Sequence, residues 1–152
     1  MSENHNDFND LTSISSHLEY LGYEIEKQNN WRIIAKQSFP TTSTCICSYL
    51  YQNRKPEIVK FSCRVPFEKP FSLEIAEFIN KLNQKSCVSS IYCVKDKQNI
   101  IVHVESIFTG VYSKPHFGAF WCMFVADQAL LNCEEAMDKL HKINSVSYTH
   151  LR

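Results

Sequence analysis

Cysteine, histidine and carboxylate are the side chains through which this sequence could do chemistry, and their spacing decides how far that goes. Cys45 and Cys47 stand one residue apart in an apolar run, so a strand would put both thiols on one face. Cys63 and His103 lie in other strand-like runs and could join them as metal ligands. Structural zinc sites, however, hold their thiols on a tight knuckle with two to four residues between them, which an extended strand does not supply. All seven cysteines, at 45, 47, 63, 87, 93, 122 and 133, sit in apolar runs. A free thiol there packs as a small hydrophobe. The expectation is free thiols, no metal and no other cofactor.

Nucleophilic catalysis needs a thiol or hydroxyl beside a base that a third group orients. Cys47, His103 and Glu105 offer those types, and His103 and Glu105 alternate onto one strand face. A small thiol-dependent hydrolase is therefore the alternative reading. Nothing else supports it: the sequence has no glycine elbow, no helix N-terminus that carries Cys47 and no oxyanion loop. Three glycines, at 22, 110 and 118, cannot build a phosphate-cradling loop either.

Composition narrows the classes further. The chain has 152 residues, 44% hydrophobic and 21% charged, enough for one packed domain. Sixteen basic residues balance sixteen acidic ones and no block of like charge occurs. Nucleic-acid binders need a basic surplus, because phosphate neutralisation supplies most of their affinity, so no nucleic-acid partner is expected. No apolar stretch is long enough to span a bilayer, and the polar, acidic start lacks signal-peptide character. A cytoplasmic chain without a membrane partner follows, in a compartment that keeps thiols reduced. The last seven residues, Val146-Ser-Tyr-Thr-His-Leu-Arg152, resemble the translation of a transposase-type sequencing adapter. We therefore take 1–145 as one domain and 146–152 as a non-native tail.

These residues need elements to hold them. Leu11, Ile14, Leu18 and Leu21 repeat at three- and four-residue spacing, which makes a first helix, with Asn9, Asp10 or Thr12 as its cap and Gly22 at its end. Strand-like pieces at 23–26 and 31–36 form a hairpin. A second hairpin joins 44–52 to 57–65 around Asn53-Arg-Lys-Pro56. Pairing Gln52 with Glu57 puts Leu50, Ser48 and Ile46 beside Val59, Phe61 and Cys63 on one apolar face; a one-residue slip would scramble it. Pro66 ends the strand, and Ser72 caps a helix to about residue 84, with Ile75, Phe78, Ile79 and Leu82 inward.

A third hairpin, 88–94 with 99–108, sets Cys93 opposite Ile100 and turns through Lys95–Gln98. One long helix then runs from about His116 to Lys142, with Phe117, Phe120, Trp121, Phe124, Val125, Gln128 and Leu131 crowded on one side. The order helix, four strands, helix, two strands, helix implies an α+β fold with a single antiparallel sheet built from hairpins.

Alternation sends Tyr49, Tyr51, Ile58, Tyr92 and Ile101 to the reverse face of that sheet. A mixture of aromatic, aliphatic and polar groups suits a protein-binding surface or a homodimer contact, unless the last helix covers it.

The chain resembles the YbjN family, whose fold is like that of type III secretion chaperones. The resemblance runs from Leu11 to Leu131 and rests on Leu21-Gly-Tyr23, Val65-Pro-Phe67, Ile79-Asn-Lys-Leu-Asn83, Ile91-Tyr92 and Phe108-Thr-Gly-Val111. It implies a non-enzymatic bacterial module with a regulatory or chaperone-like role and no catalytic residues. Taken with the reverse sheet face, the expectation is a module that binds a partner chain through a sheet face or edge.

Overall fold

Leu11, Ile14 and Leu18 are buried, and their spacing makes the inward stripe of α1, Leu11–Tyr20. Gly22 follows at φ 100°, the left-handed conformation that ends a helix without a Cβ penalty. Thr12 lies inside the helix rather than at its cap, and Asn9 and Asp10 fall outside the described residues. The structure, a computed structural model, describes residues 11–29, 32–37, 45–51 and 58–150, the side chains at 27, 37, 45–51 and 144–150 excepted.

β1 (Tyr23–Gln28) and β2 (Arg32–Gln37) pair antiparallel, with a register shift that leaves Glu26 as a bulge. β3 (Cys45–Tyr51) and β4 (Ile58–Phe67) pair in the expected register, Leu50 with Val59, Ser48 with Phe61 and Ile46 with Cys63. Val59, Phe61 and Cys63 are fully buried. β4 continues through Pro66 to Phe67, beyond the expected stop. The described pairing with β3 ends at Arg64, so there the missing proline donor costs that ladder nothing.

Ser72 caps α2 (Leu73–Lys85), its Oγ accepting from the Ile75 N–H at 3.2 Å. β5 (Ser90–Asp96) and β6 (Asn99–Thr109) then form a hairpin whose register differs by two residues from expectation: Cys93 faces Val102, not Ile100. The connection shortens to Lys97-Gln98, with Lys97 at φ 59°. A two-residue loop with a positive φ matches the strand twist and lets Lys95 and Asp96 join the ladder. A shift of two keeps parity, so every side chain stays on its expected face. The sheet order is β1-β2-β3-β4-β6-β5, antiparallel throughout, which makes the fold α+β.

The final helix is two helices. α3 (Lys114–Asn132) stops at Cys133, whose extended backbone (φ −71°, ψ 154°) separates it from α4 (Glu134–His150). Cys133 closes one helix with its N–H on the Ala129 carbonyl and opens the next with its carbonyl accepting from the Met137 N–H. Beyond the break α4 buries the stripe Ala136, Leu140 and Ile143, of which Leu140 and Ile143 join the main core. On α3 itself Val125 is exposed, contrary to its expected place in the core.

All four helices contribute buried side chains to one core against one face of the strands. At its centre the Phe61 ring meets Phe117, Phe120, Trp121 and Phe124, with centroids 5.4–6.0 Å away.

Candidate functional site

Because the helices pack on the Phe61 side, the opposite face of the strands carries no helix among the described residues. β4 presents Ile58, Lys60, Ser62 and Arg64 there, β6 presents Ile101, His103, Glu105 and Ile107, and β5 adds Tyr92 and Val94. Ile107 is 50% and Val94 41% exposed, whereas Phe61, Val102 and Val104 beneath them are at 0%. Ile58, Tyr92 and Ile101, three of the five expected contact residues, lie half-buried on this face. The side chains of Tyr49 and Tyr51 fall outside the described residues; their backbones pair with Lys60 and Ile58.

A polar band crosses the middle of the face between two apolar ends. Glu105 Oε1 meets Lys60 Nζ at 3.0 Å, and the Tyr92 hydroxyl donates to Glu105 Oε2 at 3.1 Å. The Tyr92 ring stacks on His103, with centroids 4.8 Å apart and planes 12° from parallel. Burial, then the Glu105 charge, push the Tyr92 phenol above its ordinary value. Burial, then the Arg64 charge, hold the His103 imidazole below its ordinary value, while Glu105 pulls it the other way. His103 therefore favours the neutral ring. Two buried polar atoms on this face, Ser62 Oγ and His103 Nδ1, have no hydrogen-bond partner among the described residues.

That geometry bears on the thiol-hydrolase alternative. The two hairpins do adjoin, through β4 and β6. Yet Cys47 pairs with Ser62, which pairs with Glu105, so two strand spacings, roughly 10 Å, separate the backbones of Cys47 and Glu105. Both Glu105 oxygens are engaged by Lys60 and Tyr92, so Glu105 does not orient His103 through Nδ1. The Cys47 side chain lies outside the described residues. Cys63, Cys87, Cys93, Cys122 and Cys133 are thiols outside any disulfide, and burial pushes the Cys93 thiol up, away from thiolate character. Among the described residues no three histidines, cysteines or carboxylates gather as a metal site.

Three polar residues pin the connection from α2 to β5. Asn83 Oδ1 accepts the Ile91 N–H at 2.8 Å, and Ser106 Oγ donates to the Val88 carbonyl at 2.8 Å. Asp127, 1% exposed, accepts the N–H groups of Cys87 and Val88 at 2.7 and 2.9 Å. The sequence reading missed Asp127. Its signal was a lone carboxylate in an otherwise uncharged run from Pro115 to Asn132. It also missed Val94 as a member of the face, though alternation places it there beside Ile101, as it does Lys60, Arg64 and Ile107.

No family model matches the chain, and no curated protein matches its sequence. Among solved structures the fold matches the crystal structure of YbjN from E. coli, described as a proposed transcription regulator, with a TM-score of 0.63. The match covers 87% of this chain and 93% of that chain at 12% identity. No helix among the described residues is long and apolar enough to cross a membrane. At that identity the likeness establishes the architecture alone: this chain has a YbjN-like α+β fold.

Proposed function

We propose that the chain is a non-enzymatic, regulatory or chaperone-like interaction module that takes a partner protein on the helix-free face of its sheet. The observation that carries this reading is the exposure of Ile107 and Val94 at the two ends of the Tyr92–His103–Glu105–Lys60 band. Exposed aliphatic groups beside an ordered tyrosine give the face the mixed apolar, aromatic and polar make-up of a non-obligate protein contact surface. Tyr49, Tyr51, Ile58, Tyr92 and Ile101 are the contact residues, and a second copy of the chain is one form the partner can take. A regulatory role accords with the function proposed for YbjN, and the free thiols accord with a cytoplasmic setting.

The sheet edge is less inviting than the face. The bulge at Glu26 blunts the β1 edge, and Asn83 occupies the Ile91 N–H on the β5 edge. Sedimentation of the purified chain, alone and with its captured partner, tests the proposal. Ile107→Asp and Tyr92→Ala should each weaken the association by about 1–2 kcal/mol or more while leaving the melting temperature within a few degrees. An unchanged association constant in both variants would contradict it.

A further inference from the structure

The second surface that stands out lies on the helical side, where α2, α3 and α4 enclose an open groove of about 320 Å³. Ala126 and Ala129 of α3 and Ala136 of α4 line it, so a visiting backbone can come close. Phe78, Leu82 and Leu130 supply apolar walls. The four charged residues at the groove are Lys81, Lys85, Lys139 and Glu135, three cations against one anion. Among the described residues Lys81 and Lys85 make no ion pair, and Lys139 lies over the Phe78 ring at 5.2 Å.

Beyond the groove, the outward face of α3 from Ala119 to Val125 is without charge. Ala119, Cys122, Met123 and Val125 are exposed there, and the single carboxylate of that stretch, Asp127, points inward. A helix that is apolar all round is one that something covers.

We infer that this groove is a docking site for an acidic amphipathic helix of a partner protein. Apolar side chains at i, i+4 and i+7 would enter between α2 and α4, and flanking Asp or Glu would meet Lys81, Lys85 and Lys139. Charge selects this occupant. A second copy of the chain seated groove to groove would set lysine against lysine, and a basic segment would be repelled likewise. The site is separate from the sheet face, so either proposal can fail without the other.

The test uses the full chain and two synthetic helices of about 18 residues, capped at both ends, with leucine on one face and either glutamate or lysine on the flanks. The glutamate peptide should bind, more weakly as salt rises, and should slow amide exchange in α2, α3 and α4. Ala129→Glu should raise its dissociation constant at least about tenfold without moving the melting temperature, since Ala129 is exposed. The double variant Lys81→Glu, Lys85→Glu should lose the glutamate peptide and gain the lysine peptide. Ile107→Asp should leave peptide binding unchanged. No binding of the glutamate peptide at about 1 mM, or equal binding of both peptides, would overturn the inference. So would self-association abolished by Ala129→Glu, which would make a second copy the occupant. Binding that emerges only on removal of residues 1–10, which carry Glu3, Asp7 and Asp10, would assign the groove to the chain itself and equally overturn it.

Discussion

Replacing Phe61 by alanine is the sharpest stability test of this fold, because the ring is fully buried and touches four aromatic residues of α3. Moving the phenylalanine side chain from core to water forfeits about 2–3 kcal/mol of transfer free energy. The difference in side-chain volume leaves a cavity on the order of 100 Å³, and at ~24 cal/mol per Å³ that adds about 2 kcal/mol. Four rings held by a helix cannot collapse into the space together, so the sum, roughly 4–5 kcal/mol, is the expected loss. For a chain of this length each kcal/mol lowers the melting temperature by about 2–4 °C, giving a fall of roughly 10–15 °C. Urea unfolding followed by tryptophan fluorescence reads it directly, since Trp121 stands 5.5 Å from Phe61. A loss below ~1 kcal/mol would mean that Phe61 is not where the β3–β4 register puts it.

Other outcomes follow from the same structure. Asp127→Ala should cost about 2–4 kcal/mol, because it strands the buried N–H groups of Cys87 and Val88, and amide exchange at both should accelerate. Acidification should destabilise the chain. His17 and His103 both titrate below the ordinary 6.5 when folded, so folding expels protons; their stabilising share is complete above 6.5 and is lost as pH falls through the lowered values. Thermal melts between about pH 7.5 and 5 should show this slope, shallower in His17→Gln and His103→Gln. Dialysis against a strong chelator should leave the melting temperature unchanged, since a structural zinc would contribute folding energy outright.

What could be read in the residues, and what could not, has physical reasons. The β3–β4 register was legible because a one-residue slip would drive Phe61 to the solvent face. The β5–β6 register was not fixed to within two residues, since Ile100, Val102 and Val104 are near-equivalent apolar residues and a slip of two leaves all on the same face. The break at Cys133 carries neither glycine nor proline; its only marks are Glu134 and Glu135, acids in the first turn of a new helix. Asp127 escaped because its partners are backbone amides about forty residues away, which no periodicity encodes. Asn83, by contrast, closes one of the segments on which the family resemblance rests, and its bond to the Ile91 N–H gives it a structural role.

The claim that the helix-free sheet face receives a partner protein is tested most directly by photocrosslinking in living cells. A benzophenone amino acid at position 107, 50% exposed on that face, should give one discrete higher-mass adduct. Lys97, exposed at the β5–β6 turn, serves as the control position and should give none. Ile101→Asp in the same chain should abolish the adduct at 107 without lowering the amount of folded protein. No adduct at 107, or the same products from positions 97 and 107, would contradict the account.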